Sequence, residues 1–269
     1  MIRGARLLMV GFGNMGQALV KGFIEHGIQQ SRIHVVDPSP QAAAAAKAFG
    51  VDYSKNVADI TRPPSLVFLA VKPQSMHTAT QDVKHLVSET VCFVSIAAGV
   101  RLARLKELLG AEARIIRAMP NTPAAIGEGM TVMCHTGNLA FEQMALADSL
   151  LECVGKSEWI DDEKLIDCVT AVSGSGPAYV FLLIEAMVEA AKAGGIPEKL
   201  ALELAVQTCR GAAILAAQSG LAPNVLRENV TSKGGTTEAA LNTLYAEKFP
   251  QVVAKAIASA TARSKELSI

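Results

Sequence analysis

The feature that most constrains the fold is a glycine pattern directly after a short apolar run near the start of the chain. Leu7–Val10 has the four consecutive apolar residues of a buried strand, and Gly11, Gly13 and Gly16 follow in the spacing G-x-G-x-x-G. Apolar residues at helical spacing come next. This order predicts a strand, a tight turn and a helix whose N-terminus can face an anion. On spacing alone, a glycine-rich turn that binds nothing is an open alternative.

A second apolar run favours a binding site. Ile33–Val36 reads as a strand and ends in Asp37, about 20 residues past the glycines. In a strand–turn–helix–strand unit, an acidic residue at this place accepts the ribose hydroxyls of an adenosine, and the glycines let a pyrophosphate approach. We therefore predict that a dinucleotide contacts Val10, Gly11, Phe12, Gly13, Asn14, Met15, Gly16 and Asp37.

The order of patterns predicts an α/β fold in two domains. Strand and helix patterns alternate up to Asp161, as a parallel sheet requires, and only helical periodicity follows. We expect a Rossmann-type dinucleotide-binding domain at residues 1–161 and an all-helical dimerisation and substrate domain at residues 162–269. Further strands are predicted at residues 51–53, 65–71, 91–96, 114–118, 130–134 and 157–160.

The helix predicted after Pro177 has an unusual composition. Its charges, Glu185, Glu189 and Lys192, lie on one narrow stripe, and the rest is almost entirely apolar. Such a helix needs burial around most of its circumference. We expect a partner chain to supply it, most simply in a symmetric dimer. The alternative is a helix central to its own domain.

Composition excludes several classes of function. The formal net charge is zero, which gives no reason to expect nucleic acid or a membrane surface as a partner. The five cysteines form no C-x-x-C pair and the histidines show no ligand spacing, so we expect reduced core thiols and no metal site. The longest apolar runs fall short of a membrane span, and the first strand begins almost at once, so we expect a cytoplasmic protein.

Unusual residues follow three of the predicted strands, at the edge where parallel sheets bind ligands. Small residues there would let a flat nicotinamide ring lie against backbone, and Asn121 could contact its carboxamide. For Ala97-Ala98-Gly99 a plain tight turn is the alternative, and for Lys72 a solvated side chain at a helix start. The residues in question are Ala70, Val71, Lys72, Pro73, Ala97, Ala98 and Gly99.

One polar stretch interrupts the helical half, at residues 231–237. Two glycines before a helix start make a cradle of backbone N–H groups that suits a small carboxylate. An ordinary helix capped by Thr236 is the alternative. No histidine lies near any of these motifs, so the chemistry should need little proton transfer from the protein. Hydride addition to a protonated imine meets that condition.

Together these motifs resemble one family, pyrroline-5-carboxylate reductase, over nearly the whole chain. The similarity rests on VGFGNMG, AVKPQ, SIAAGV, RAMPNTPA, SGSGPAY and VTSKGGTT, of which the last two are the most specific in combination. The resemblance implies hydride transfer from NAD(P)H to the C=N bond of 1-pyrroline-5-carboxylate, the last step of proline biosynthesis. It also implies a homodimer with the substrate pocket at its interface, and often a decamer.

The resemblance assigns roles to individual residues. It places Thr237 near the ring nitrogen as the catalytic residue and Asn56 against the adenosine. The nicotinamide would lie near Ala70–Pro73, Ala97–Gly99 and Asn121. The substrate-binding residues would be Asn121, Ser232, Lys233, Gly234, Gly235, Thr236 and Thr237.

Two positions depart from the family pattern. Asp37-Pro38 stands where members often carry small polar or basic residues, and a carboxylate there repels a 2′-phosphate, so Asp37 favours NADH while the resemblance leaves NADPH open. Ser39 could still reach a phosphate. Lys233 stands where other members have proline, and either adds positive charge for the substrate carboxylate or is a solvated loop residue.

Two other functions compete with this interpretation. A β-hydroxyacid dehydrogenase shares the architecture, but it carries a catalytic lysine about four residues past the glycine that corresponds to Gly176, where this chain has Val180. The missing lysine argues against carbonyl–alcohol chemistry, which needs a proton shuttle. A dinucleotide-binding regulator without catalysis is the other alternative, and the intact 232–237 loop argues against it.

Overall fold

The computed structural model describes residues 2–60 and 62–268 and divides into two compact units. The first comprises residues 2–174 and 260–268, and the second comprises residues 175–259. The strands are β1 Leu7–Val10, β2 Ile33–Val36, β3 Asp52–Ser54, β4 Leu66–Leu69, β5 Cys92–Ser95, β6 Arg114–Met119, β7 Gly129–His135 and β8 Gly155–Trp159. The helices are α1 Asn14–Glu25, α2 Pro40–Phe49, α3 Met76–Val83, α4 Leu102–Leu109, α5 Phe141–Leu151, α6 Ile166–Val169, α7 Gly176–Ala193, α8 Glu198–Gln218, α9 Pro223–Asn229, α10 Thr236–Ala246 and α11 Phe249–Leu267.

All eight strands belong to one sheet in the order β3-β2-β1-β4-β5-β6-β7-β8. The first six strands pair in parallel, with Val10 opposite Val36 on one side and Leu69 on the other. The strand order reverses beside β1, because chain order leads outwards from β1 to β2 and β3 and then returns to β4. This reversal is where an open α/β sheet forms its ligand crevice.

The prediction of a parallel sheet is wrong for the pairing of β6 with β7, which is antiparallel, with Ala118 opposite Met133. The connection between these strands holds only the short 3₁₀ turn Thr122–Ile126. A parallel crossover needs a dozen or more residues, whereas a short connection suffices for an antiparallel return. The last strand, β8, pairs with β7 in parallel.

The sheet is buried on both faces, which explains why its strands read as continuous apolar runs. One face packs on α1, where the rings of Phe23 and Phe68 have centroids 5.4 Å apart. The other face packs on α3 and α4, with Phe93 and Leu105 among its fully buried residues. The core thus fixes the strand ends at which the predicted binding residues lie.

Two helices of the first unit have irregular ends. α3 is α-helical over Met76–Val83 and has 3₁₀ turns at both ends. α6 is α-helical over Ile166–Val169 and continues as a π-helical segment, Thr170–Gly174. Single π turns often lie beside functional sites.

The second unit leaves much apolar surface uncovered. No residue of α7 is buried, and Phe181 and Leu182 are 60% and 65% exposed. The alternative in which this helix is central to its own domain is therefore wrong for a single chain. By length and composition alone, Glu163–Ala193 and Glu198–Gln218 could cross a membrane, which the apolar runs did not predict. An exposed apolar surface of this kind is equally typical of an interface between subunits.

Candidate functional site

The glycine turn joins β1 to α1 with backbone packed too closely for side chains. A Cβ added to Gly11, whose φ is 91°, would lie 2.7 Å from the carbonyl oxygen of Ala70. A Cβ added to Gly16 would lie 2.9 Å from the carbonyl oxygen of Gly11. A Cβ on Gly13 would meet no atom within 4 Å. Two glycines thus serve packing, and Gly13 faces open space at the start of α1, as a pyrophosphate cradle requires.

The N-terminus of α1 is open to an anion. Gly13 is its N-cap residue and supplies no side-chain cap, and exposed Asn14 is its first residue. Helix N-termini leave backbone N–H groups unsatisfied and carry the positive end of the helix dipole. Val10, Phe12 and Met15 pack around this turn as buried or half-buried residues. The predicted residues from β1 and α1 therefore come together in one place.

Asp37 is held beside the glycine turn by its own hydrogen bonds. Its carboxylate accepts the N–H of Phe12 and the N–H of Ser39, both at 2.8 Å. The hydroxyl of Tyr53 donates to the Asp37 carbonyl at 2.8 Å, which ties β3 to the same point. The Ser39 hydroxyl is used in turn as the N-cap of α2, where it accepts the N–H of Ala42. The carboxylate is therefore fixed next to the phosphate cradle.

The end of β4 forms the neighbouring wall. Ala70 donates its N–H to the carbonyl of Val10 at 2.8 Å, and Val71 is half-buried against Gly11. Lys72 is exposed, and Pro73 begins a 3₁₀ turn. These positions lie at the carboxyl end of a strand adjacent to β1, where the sequence predicted them.

Asn56 lies just past β3, at the far side of β2 from the glycine turn. It is exposed, and its carbonyl accepts the hydroxyl of Ser54 at 2.8 Å. Ser54 also contacts His34 Nε2 at 2.8 Å, and burial lowers the pKa of His34. The loop is therefore ordered by local bonds, at the edge where the resemblance places the adenosine.

The turn at residues 97–99 lies beyond β5, with Ala97 buried and Ala98 exposed. Gly99 has a φ of 78°, which favours glycine. A Cβ on Gly99 would lie 2.8 Å from the carbonyl oxygen of Leu267. The last turn of α11 therefore packs on the backbone of this turn and leaves room for glycine alone.

Both ends of the Asn121 amide are already engaged within the first unit. Its Nδ2 donates to the Ser173 carbonyl at 3.0 Å, and its Oδ1 accepts the N–H of Met130 at 2.8 Å. The side chain thus ties the start of β7 to the π-helical segment. Its predicted contact with a ligand has to share an amide that performs this structural task.

The loop at residues 232–237 is described within the second unit. Gly234 has a φ of 74°, Gly235 is the N-cap residue of α10, and neither supplies a side chain. The alternative in which Thr236 caps the helix is wrong, because Thr236 is the first residue of α10. The N–H of Gly234 donates to the carboxylate of Glu238 at 2.7 Å, so the loop backbone does bind a carboxylate.

The other residues of this loop differ in exposure. Ser232, Lys233 and Thr236 are exposed, whereas Thr237, the second residue of α10, is half-buried. At the start of the helix, Thr236 is thus exposed to solvent and Thr237 is partly shielded from it. Lys233 lies next to the carboxylate-binding backbone of Gly234, which places a positive charge beside the cradle.

Two of the buried thiols are poor nucleophiles. Burial raises the pKa of Cys92 and of Cys134 to about 12, and Glu163 adds to the effect at Cys134. Cys153 is also buried, but Cys168 is exposed, so the prediction of core thiols is wrong there. Over residues 2–60 and 62–268, no group of three metal-ligating side chains is placed to hold a metal.

Sequence reasoning missed the carboxylates that organise these loops. Glu238 is the third residue of α10, and an acid at that helical position is a known N-terminal signal. Glu163 accepts the N–H of Leu102 at 2.8 Å and pairs with Arg117 at 2.7 Å. Asp167 is 5% exposed and accepts the hydroxyl of Ser264 at 2.7 Å. No local pattern pointed to these three long-range contacts of Glu163 and Asp167.

Comparisons with known proteins agree with the two-part organisation. Residues 163–267 match the family model described as pyrroline-5-carboxylate reductase dimerisation, and residues 6–99 match the one described as NADP oxidoreductase, coenzyme F420-dependent. The pyrroline-5-carboxylate reductase of Pseudomonas aeruginosa is 39% identical, over 98% of this chain and 97% of that protein. The enzyme of the same name from Pisum sativum is also 39% identical, over 96% of this chain and 94% of that protein.

Solved structures give the same result. A pyrroline-5-carboxylate reductase from Coxiella burnetii superposes with a TM-score of 0.93 at 34% identity, covering 98% of this chain and 99% of the other. The Plasmodium falciparum enzyme, solved with NADP bound, has a TM-score of 0.87 at 28% identity and covers 99% of both chains. A 3-hydroxyisobutyrate dehydrogenase from Mycobacterium tuberculosis, at 16% identity and a TM-score of 0.53, shares the fold alone.

Proposed function

This chain belongs to the pyrroline-5-carboxylate reductase family, and we propose how its own residues carry out the reaction. The reaction moves a hydride from NAD(P)H to the carbon of the C=N bond of 1-pyrroline-5-carboxylate. With the nitrogen protonated, hydride addition places both electrons in the new C–H bond and yields L-proline and NAD(P)⁺. The single observation that carries the residue assignment is the carboxylate bound to the 232–237 loop, because the substrate is itself a small carboxylate.

The glycine turn fits the dinucleotide. NAD(P)H supplies the hydride when bound, and the chain supplies its position. Gly13 and the start of α1 would hold the pyrophosphate, since a Cβ at Gly13 would meet no protein atom within 4 Å. Asp37 would accept the ribose hydroxyls, Asn56 would contact the adenosine, and Ala70 would lie beside the nicotinamide. The remaining predicted contacts are Val10, Gly11, Phe12, Asn14, Met15, Gly16, Ser39, Val71, Lys72, Pro73, Ala97, Ala98 and Gly99.

We propose that this chain prefers NADH to NADPH. Two unit charges about 4 Å apart repel by about 1 kcal/mol in water and about 4 kcal/mol near a protein surface, and Asp37 would face a 2′-phosphate at such a distance. The backbone N–H of Ser39, which could otherwise bind that phosphate, is taken by Asp37. Its hydroxyl accepts a bond as the cap of α2. Lys55, which is exposed and follows Ser54, carries a positive charge that would favour a 2′-phosphate instead.

The substrate would lie on the second-unit loop. The backbone N–H of Gly234 would bind its carboxylate in place of Glu238. Gly235, whose N–H donates to the Ser232 carbonyl at 3.0 Å, would line the cradle together with Ser232, Lys233 and Thr236. The Thr237 hydroxyl would hold the ring nitrogen by a hydrogen bond as the hydride arrives. Because the imine nitrogen is already protonated, this hydroxyl needs only to orient it and not to transfer a proton. Asn121 would act mainly by fixing the β6–β7 connection.

The dimerisation domain makes the protein a homo-oligomer, and we propose a homodimer with the substrate pocket at its interface. The exposed apolar side chains of α7 support this proposal, because they need a partner. Assembly of dimers into a decamer is a further possibility of the same proposal. We also propose functional domains at residues 1–161 and 162–269, a cytoplasmic location, and no membrane or nucleic-acid partner.

The deciding experiment is oxidation of NADH, and separately of NADPH, by purified protein with 1-pyrroline-5-carboxylate. Proline formation equal to cofactor oxidation is the expected result, with NADH the better donor. Tight cofactor binding without turnover with either donor would contradict the proposed site.

A further inference from the structure

The last turn of α11 is fixed to the first unit by a buried carboxylate. Asp167 accepts the hydroxyl of Ser264 at 2.7 Å. The Ser268 hydroxyl donates to the Ser264 carbonyl at 2.9 Å and lies 3.4 Å from the same Asp167 oxygen. The Arg101 guanidinium lies 3.8 Å from the other carboxylate oxygen, and the Asp167 side chain is only 7% exposed. A carboxylate is costly to bury unless it is paired and hydrogen-bonded, as it is here. Asp167 therefore joins the C-terminal turn to Arg101.

The same C-terminal turn of α11 also contacts the turn at residues 97–99. The carbonyl oxygen of Leu267 lies against Gly99, where a Cβ would approach it to 2.8 Å. Arg101, which meets Asp167, is two residues further along the same segment and is the N-cap residue of α4. Within residues 99–101, the C-terminal turn thus packs on Gly99, and Asp167 pairs with Arg101.

A second carboxylate fixes the point where the segment enters α4. Arg101 gives α4 no side-chain cap. Instead Glu163, four residues before Asp167, accepts the N–H of Leu102 at 2.8 Å. The Glu163 carboxylate also pairs with the Arg117 guanidinium at 2.7 Å, and the Arg117 side chain is only 5% exposed. An acidic group at a helix N-terminus satisfies a free N–H and complements the helix dipole.

From this arrangement we propose that Asp167 is a positioning residue for the nicotinamide half of the cofactor, and that it acts by holding the C-terminal turn of α11 against the 97–99 turn. The inference rests on the proposed function, which places the nicotinamide at this turn. The carboxylate touches neither substrate nor cofactor. It fixes the backbone on which the ring is to lie, and small displacements of such a support lower reactivity.

The consequence is specific to one half of the cofactor. The pyrophosphate and adenosine positions are formed by β1, α1 and β2, and none of their hydrogen bonds involves Asp167. Loss of the clamp should therefore weaken the binding of a ligand that contains nicotinamide and spare one that lacks it. A purely structural role for Asp167 would lower stability without this distinction.

The test compares the dissociation constants of NADH and of ADP-ribose, which lacks the nicotinamide, for the full-length protein. Asp167→Asn should weaken NADH by about tenfold or more and leave ADP-ribose within about twofold. The double variant Ser264→Ala/Ser268→Ala removes both hydroxyl donors while keeping the carboxylate, and should show the same selectivity if Asp167→Asn fails to fold. Glu266→Gln is the matched control, because its carboxylate pairs with Arg263 on the exposed side of the same helical turn.

Two results would overturn the proposal. One is a lower melting temperature with an unchanged dissociation constant for NADH, and the other is equal weakening of both ligands. Failure of the proposed function looks different, since the wild-type protein would then bind NADH no more tightly than ADP-ribose or would not reduce 1-pyrroline-5-carboxylate.

Discussion

The carboxylate of Glu238 accepts the backbone N–H of Gly234 at 2.7 Å, across the loop that begins α10. The loop is thus able to bind a carboxylate, and it already holds one of its own. A substrate carboxylate that uses the same donor must displace Glu238 or lie beside a like charge. Glu238 therefore both stabilises the helix start and opposes the ligand.

Replacing Glu238 with Gln should separate these two effects. We expect KM for 1-pyrroline-5-carboxylate to fall by about three- to tenfold, because removal of one nearby like charge is worth on the order of 1 kcal/mol. The free energy of unfolding should fall by about 0.5–1 kcal/mol through the weaker cap. Steady-state kinetics and thermal melts measure both. Glu247→Gln at the other end of α10 is the control, and an increase in KM would show that Glu238 aids binding instead.

The open space at Gly13 gives a prediction that concerns the ligand alone. Gly13→Ala should leave the melting temperature unchanged, because the added Cβ meets no protein atom within 4 Å. It should weaken NADH binding by about tenfold or more, because the cofactor needs that space for its pyrophosphate. Gly16→Ala is the contrasting variant, since its Cβ would lie 2.9 Å from the Gly11 carbonyl and should destabilise the protein itself. Unchanged NADH affinity in Gly13→Ala would contradict the proposed position of the pyrophosphate.

The sequence predicted the first strand–helix–strand unit well because the signals there are local. Strand, glycine turn, helix and acid follow one another within the first 37 residues, and β1 and β2 have the predicted bounds. The strand β7 was predicted, but its antiparallel direction was not, because apolar periodicity does not encode strand direction. Only the shortness of the Thr122–Ile126 connection carries that information.

The structural roles that the sequence did not reveal depend on contacts that are distant in the chain. Asp167 meets Ser264 across 97 residues, and Asn121 meets Ser173 across 52. Such hydrogen bonds leave no spacing that a single sequence can reveal. The sequence therefore did not reveal the two protein partners of the Asn121 amide, and its contact with the ligand stays a prediction.

Asp37→Ser should shift the cofactor preference towards NADPH. Removal of the carboxylate abolishes its repulsion of a 2′-phosphate and frees the N–H of Ser39. Exposed Lys55 directly follows Ser54, whose carbonyl accepts the N–H of Asp37. We expect the ratio of kcat/KM for NADPH to that for NADH to rise about tenfold or more. Dissociation constants for 2′,5′-ADP and ADP give the same comparison without turnover. A ratio that does not change would assign the selectivity to other residues.

Phe181→Asp tests the exposed face of α7. Phe181 is 60% exposed in one chain, and in the proposed dimer an unpaired charge there would be buried at a cost of about 3–5 kcal/mol. We expect a monomer by light scattering at concentrations where the wild-type protein is dimeric, with reductase activity lost. Glu185→Gln, on the polar stripe of the same helix, should remain dimeric. An active dimeric Phe181→Asp variant would place the interface on another surface.

Thr237→Ala tests the residue assigned to the ring nitrogen. A hydrogen bond to a charged group contributes about 1.5–3 kcal/mol, so its loss from the transition state should lower kcat by about 10- to 100-fold. NADH affinity should not change, because the cofactor contacts proposed here lie on other elements. Thr237→Ser keeps the hydroxyl and should retain most of the activity, and Thr243→Ala, exposed on the same helix, should behave as the wild type. An unaltered kcat in Thr237→Ala would exclude the hydroxyl from the reaction and leave the loop with carboxylate binding alone.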